Sequence, residues 1–274
     1  MTKIEKISEF LSNYSKSTGF NGYVIGLSGG IDSAVSASLA VKAVGKENVL
    51  GLILPCTYTD EIEREEDIDD GILVAKSLGI SYKILTLDKP AKTIFNQILL
   101  LGGSESDLVL SNIKARLRMT SLRAYAENNH CLVLGTTNKT EEYLGYYTKA
   151  GDGGAGVDVE PIADLFKQEV FAMAKELGNI PEKIINRKPS AGLFDNQTDE
   201  EEIGITYKEI DRYLQFRESI TNSFGVNRYM NHSENMKCRA KTSNLIFEDF
   251  VIDKIENMIS INDHKRKNPP SITF

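Results

Sequence analysis

The residues Ser28-Gly29-Gly30-Ile31-Asp32-Ser33 join an apolar run, Tyr23 to Leu27, to a segment from Ala34 to Val44 with apolar residues at helical spacing. A glycine pair between a strand and a helix lets a ligand approach the main chain, and the unpaired N–H groups of the new helix point at it. Such a turn binds anions, phosphate above all. Asp32 sits inside this anion site, where phosphate oxygens repel a carboxylate unless a cation lies between them. Two readings follow. Asp32 or Ser33 caps the helix, as both types often do; or Asp32 holds Mg²⁺ against a polyphosphate to which Ser28 and Ser33 donate hydroxyl protons. The preceding strand and the Ser-Gly-Gly favour the second. No G-x-x-x-x-G-K-[ST] occurs in the chain, so a kinase or GTPase loop loses its main support.

A second set of reactive side chains runs from Thr136-Thr137-Asn138-Lys139-Thr140-Glu141 to Gly151-Asp152-Gly153-Gly154, directly after the apolar run His130–Gly135. Hydroxyl, amide, carboxylate and ammonium groups just past a buried strand end are what a site needs and a core cannot use. Gly151, Gly153 and Gly156 match G-x-G-x-x-G. They do not lie between a strand and a helix, so they are no dinucleotide fingerprint.

The elements that must position these groups alternate. Strands are expected at Tyr23–Leu27, Asn48–Pro55, Ser81–Leu87 and His130–Gly135. Between and around them lie helical patterns. Ile4, Ile7, Leu11 and Tyr14 share one face of a first helix ending near Gly19; Pro90 suits a first turn; Leu108 to Asn128 is a long helix carrying Lys114, Arg116, Arg118 and Arg123. The acidic run Asp60–Asp70 reads as a solvated helix start. Thr206–Phe216 and Asn244–Ile261 form a helical C-terminal region from about residue 200. This rhythm predicts an α/β fold, a doubly wound parallel sheet of about five strands with flanking helices and the ligand at the strands' carboxyl ends. Asn186–Thr198 mixes Pro, Gly, Asn and Ser without a period and reads as a long loop placed to close over the bound phosphate.

With 274 residues, 41% hydrophobic and 26% charged, the chain can bury a full core as a single domain. A net charge of −7 argues against nonspecific binding to nucleic acid or to a membrane surface. The charged N-terminus is no signal peptide, and no stretch approaches the about 18 apolar residues of a membrane span. Cys56, Cys131 and Cys238 are odd in number and lack C-x-x-C spacing, which points to reduced thiols in the cytoplasm.

Gly26-Leu27-Ser28-Gly29-Gly30-Ile31-Asp32-Ser33 resembles the signature of the ATP pyrophosphatases, which cleave ATP between its α- and β-phosphates to adenylate a substrate. Leu134-Gly135-Thr136, Asn138-Lys139, Glu141, Gly145-Tyr146 and Thr148 to Gly154 narrow this to a resemblance to the NAD synthetases. Asp158 to Lys167, Lys188 to Leu193, Gln197 to Glu200 and His264-Lys265-Arg266 extend it over nearly the whole chain, in order.

The resemblance implies an adenine nucleotide alpha-hydrolase-like fold and the amidation of deamido-NAD by ammonia, with ATP as co-substrate and Mg²⁺. It assigns Gly26 to Ser33, Thr136, Lys167 and Ser190 to ATP, and Asp32 and Glu141 to Mg²⁺. Arg116, Lys149, Asp158, His264 and Lys265 fall to deamido-NAD. Asp32, Glu141, Lys167 and Asp152 are the candidate catalytic residues. Asp152 either holds NH₄⁺ beside the adenylate or shapes a glycine-rich turn. A homodimer with the substrate at its interface is implied, as is free ammonia rather than a glutaminase domain as nitrogen source. The chain departs from the family pattern in an insertion at Ala155-Gly156, in Ser190 where many members have Thr, and over about 219–243. The alternatives are another ATP pyrophosphatase, such as a GMP synthetase-like amidase or a tRNA-modifying ligase, and a nucleotide sensor without turnover. An RNA ligase needs a basic surface this acidic chain lacks, and a sensor needs neither Glu141 nor Lys167.

Overall fold

The computed structural model describes residues 1–56, 65–153, 156–190, 198–224, 232–243 and 247–267. Side chains alternate across four short strands, β1 (Tyr23–Gly26), β2 (Val49–Ile53), β3 (Ser81–Ile84) and β4 (Leu132–Leu134). Tyr23, Ile25, Val49, Ile53, Leu132 and Leu134 face one apolar layer, while Val24, Leu52 and Val133 face another. A strand buried on both faces reads as a continuous apolar run, and here both faces are covered by helices. The first layer holds α1 (Lys3–Thr18), α2 (Ile31–Val44), α3 (Glu65–Leu78), α7 (Lys167–Leu177) and α8 (Glu182–Asn186). The second holds α4 (Asp88–Leu100) and the long α5 (Asp107–Asn129).

All pairings are parallel and the order is β3-β2-β1-β4. The chain thus moves outward on one side of β1 and returns to the other side with β4. Between β1 and β4 lies the switch point, where open parallel sheets bind ligands. The doubly wound parallel sheet is as the sequence predicts, with four strands among the described residues, near the expected five. A fifth position beside β4 is reduced to one bridge, Leu134 to Val159, in which Gly135 N–H donates to Val159 O at 2.8 Å. Pro161 follows and has no N–H to extend a ladder.

A third apolar cluster joins α6 (Lys139–Leu144) to the C-terminal helices α9 (Asp199–Ile203), α10 (Tyr207–Phe224), α11 (Ser233–Thr242) and α12 (Asp249–Ile261). At its centre Arg217 and Glu256 form a fully buried ion pair of 2.5 Å, and Tyr213 Oη donates to the same carboxylate at 2.7 Å. The short α13 (Asp263–Arg266) follows. Among the described residues no helix is long and apolar enough to cross a membrane.

The acidic run is not simply a solvated face. Its residues from 60 to 64 lie outside the described residues, but Asp70 is buried and pairs with Arg187 at 2.9 Å and with Lys183 at 2.7 Å, and Asp67 also binds Arg187. α3 is therefore tied to α8 and the residue after it. The expected loop over ATP at 186–198 falls mostly on 191–197, also outside the described residues.

Candidate active site

Two helix starts, one after each strand at the switch point, build the site. After β1, Gly29 takes a left-handed φ of +76°, and a Cβ there would meet the Asp70 Cβ at 2.7 Å. Only glycine satisfies both demands. Gly30 is the N-cap of α2, so Asp32 and Ser33 lie inside the helix and neither caps it. Ser33 Oγ instead donates to Gly30 O at 2.9 Å, and Gly30 N–H donates to Ser28 Oγ at 3.3 Å. The capping reading of Asp32 is excluded. Its carboxylate points across to the second helix start.

After β4, Asn138 and Glu141 form a capping box at α6: Glu141 N–H donates to Asn138 Oδ1 at 3.0 Å, and Asn138 N–H to Glu141 Oε2 at 3.2 Å. Asn138 also donates from Nδ2 to Asp32 Oδ1 at 3.0 Å. The opposite oxygens share one cation, Lys167 Nζ, at 2.5 Å from Asp32 Oδ2 and 3.2 Å from Glu141 Oε1. Asp32, Asn138, Glu141 and Lys167 thus close a ring in which every carboxylate oxygen has a partner. Lys167 is the first residue of α7; its N–H donates to Thr140 Oγ1 at 3.0 Å, and Gln168 N–H to Asp211 Oδ2 at 2.8 Å. Thr140 in turn donates to Asp211 Oδ1 at 2.5 Å, so α10 anchors the turn that presents both Lys167 and Glu141.

Burial pushes the Glu141 carboxyl up to about 8 against the pull of Lys167. Burial also works against the Lys167 ammonium, but Asp32 and Glu141 outweigh it and hold it above the ordinary lysine range. The donor set fits Mg²⁺ as a nucleotide-bound ion: two carboxylates converge on one cation beside an open cavity, and Mg²⁺ commonly takes one or two carboxylates plus substrate phosphates. Among the described residues no cluster of three His, Cys, Asp or Glu exists to cage it by protein alone.

The cavity measures about 940 Å³. Every candidate residue named from the sequence lines it except Gly29 and Asp158. Gly29 lies behind the loop against α3. Asp158 is spent on the sheet edge, where it pairs with Arg123 at 2.6 Å and accepts Val133 N–H at 2.7 Å. Arg116, on α5, and Ser190, just after α8, also line the cavity. Lys265 donates to Gly145 O at 2.7 Å and Tyr147 O at 2.8 Å, Lys149 donates to His264 O at 2.9 Å, and Arg266 reaches the carbonyls of Glu142 and Tyr143 at 3.2 Å. Asp152 faces the same cavity and accepts Thr148 N–H at 2.7 Å, the turn-shaping bond. Its surroundings raise its pKa through burial, countered by that hydrogen bond and by Arg118 and Lys265.

Sequence reasoning did not single out the amide of Asn138, which fixes both carboxylates, or the carboxylate of Asp211. The S/T/N-x-x-E spacing of a capping box was available for Asn138; nothing local marks Asp211. Asp199, which accepts from Tyr207 Oη at 2.9 Å, and Arg187 also line the cavity.

The profile of the NAD synthase family matches residues 3–269. The chain belongs to the NAD synthase family. It is 46% identical over 211 residues to the NH(3)-dependent NAD(+) synthetase of Thermococcus kodakarensis, a span covering 77% of this chain and 78% of the relative. Among solved structures it resembles the NMN synthetase of Francisella tularensis, with TM-score 0.80, 32% identity and 99% and 98% of the two chains covered. It also resembles the NH3-dependent NAD synthetase of Campylobacter jejuni, with TM-score 0.74, 28% identity and 99% and 97% covered.

Proposed function

We propose that the chain amidates deamido-NAD with ammonia, consuming ATP and releasing AMP and pyrophosphate. The observation that carries this reading is the Asp32–Lys167–Glu141 cluster, set beside an uncapped helix start in one cavity with Arg116, Lys149 and Lys265. ATP phosphates lie on the N–H groups of α2, with Ser28 and Ser33 as hydroxyl donors and Thr136 and Ser190 as further contacts. Mg²⁺, held by Asp32 and Glu141, supplies positive charge to the phosphates when bound. Lys167 neutralises pyrophosphate as it departs. The nicotinate carboxylate attacks the α-phosphorus, and the acid becomes an adenylate. Ammonia then attacks the activated carbonyl carbon, loses a proton and expels AMP. No protein atom forms a covalent bond, so the residues work by position and charge. Asp152 holds the 148–152 turn at the cavity and offers a carboxylate to an incoming ammonium. Asp158 acts one step away, through the Arg123 pair that fixes the Val133 edge.

The same chemistry serves a mononucleotide acid, and the likeness to an NMN synthetase gives this second reading its support. The curated NH(3)-dependent NAD(+) synthetases favour the dinucleotide. Supplying ATP, ammonium and either deamido-NAD or nicotinate mononucleotide decides between them. AMP and pyrophosphate should form in step with the amide, and kcat/KM should be higher for the dinucleotide. A higher value for the mononucleotide reverses the assignment, and ATP cleavage with neither acid refutes both. Glutamine in place of ammonium should give no product.

The dimer belongs to this reading. Leu100 and Leu101 are 79% and 84% exposed at the end of α4, Leu108 is exposed at the start of α5, and Ile94 and Ile98 are partly exposed along α4. Exposed apolar side chains of this kind suit a second copy of the chain in the cytoplasm.

A further inference from the structure

Each carboxylate oxygen of Asp32 and Glu141 already accepts one hydrogen bond: Oδ1 and Oε2 from Asn138, and Oδ2 and Oε1 from Lys167, whose ammonium fills the point between the two carboxylates where a metal ion would be shared. Lys167 Nζ is thus where a shared cation has to be. Its side chain is 2% exposed, and the ring of Tyr207 lies 5.0 Å away, so water does not screen it from the two carboxylates. Stripped of any counter-charge, two carboxylates held this close and mostly buried would repel each other with little solvent to offset it. A lysine has a flexible four-carbon stem and a point charge that can swing, whereas Asn138 is locked by its capping box.

We propose that the Lys167 ammonium is the resident cation of the nucleotide-free enzyme and gives up its place when a divalent ion arrives with ATP. This rests on the assignment of Asp32 and Glu141 to the metal. The exchange balances charge at each stage. Lys167 leaves two carboxylates that receive the divalent ion, and it moves onto phosphate oxygens that arrive with that ion. Metal without nucleotide has to evict an ammonium that then has no anion to receive it. Nucleotide without metal brings phosphate charge up to Asp32 and Glu141. Each ligand therefore binds well only in the presence of the other, and Lys167 is what couples them. Asn138, which moves in neither state, is the positioning residue that keeps the two carboxylates a cation's width apart.

Mn²⁺ titration of the full chain, followed by its electron paramagnetic resonance signal, tests this without any turnover. Wild-type protein without nucleotide should retain no Mn²⁺ at this site, and with α,β-methylene-ATP it should bind the ion in the ternary complex. Lys167→Met, which keeps the length of the stem and removes the charge, should bind Mn²⁺ without nucleotide about tenfold or more tightly than wild type. Adding Asp32→Asn to that variant should abolish the gain and so locate it. Tight Mn²⁺ binding by nucleotide-free wild type overturns the exchange, and so does a Lys167→Met protein that gains nothing; both leave the metal-nucleotide reading standing. Absence of Mn²⁺ from the wild-type ternary complex overturns that reading as well. Because the wild-type arms need no variant, misfolding of Lys167→Met leaves the exchange open to refutation.

Discussion

Asp32 and Glu141 act on one cation from two helix starts, so their removal should not add. Asp32→Asn and Glu141→Gln are each expected to lower kcat/KM by about a hundredfold or more, and the double variant to fall little further. Steady-state kinetics at saturating Mg²⁺ check this, and near wild-type turnover for either single variant removes the metal assignment. Glu160 makes a separate prediction. Burial, aided by Glu142, pushes its carboxyl from 4.5 up to about 7. Between those values the folded chain holds a proton that the unfolded chain has lost, so stability falls as pH rises through that window. The melting temperature of wild type should therefore drop, relative to Glu160→Gln, between pH 5 and pH 8, about the two ends of the linkage window; a constant difference refutes the shift. The roles legible in the sequence were those with a local signature. Gly29, Asp32 and Ser33 sit in one turn, and Glu141 follows Asn138 at capping-box spacing. Asp211 was invisible because its partners, Thr140 and Gln168, lie on two other helices and only the fold brings them within reach. For Asp158 the motif gave a position but not its partner: Arg123 on α5 lies far off in the chain and only the fold brings it to 2.6 Å.

Elements were easier to read than their ends. The strand positions are right because Val24, Leu52 and Val133 need burial on both faces, and apolar runs betray that without tertiary knowledge. Strands stop earlier than expected, at Gly26, Ile53, Ile84 and Leu134, although the N–H groups of Leu27, Leu85 and Leu87 still donate to Leu52, Ile53 and Pro55 O just beyond them. Helix α10 was underestimated. It runs on to Phe224, carrying Arg217 to a Glu256 on α12, and a charged residue in an apolar cluster reads in sequence as a helix's outer face. That pair makes the element-scale prediction. Glu256 also accepts Tyr213 Oη and His232 N–H, so removing its cation leaves a buried carboxylate short of charge. Arg217→Met should cost about 3–5 kcal/mol, read as a lower urea midpoint, with α10 and α12 losing amide-exchange protection together. A midpoint shift under about 1 kcal/mol means that the pair contributes little net stability.

For the molecule as a whole, the apolar end of α4 and start of α5 are expected to meet a second copy. Leu100→Glu with Leu101→Glu should convert dimer to monomer in sedimentation velocity and leave the far-ultraviolet circular dichroism unchanged. An unaltered sedimentation coefficient places the interface elsewhere or removes it. Sequence could indicate this face only as apolar residues with no partner in the same chain, a property that exists once the core is known. The grip on α13 is of another kind. Lys265, Arg266 and Lys149 bind main-chain oxygens, those of Glu142, Tyr143, Gly145 and Tyr147 on one side and of His264 and Lys267 on the other. A carbonyl is present whatever side chain stands beside it. Half of this attachment is therefore beyond the reach of point mutation, and drift in the side chains around it is silent until it touches one of three cations or bends the path of the backbone. The cavity wall they close can then change its taste for substrates while its hinge to the last helix stays the same.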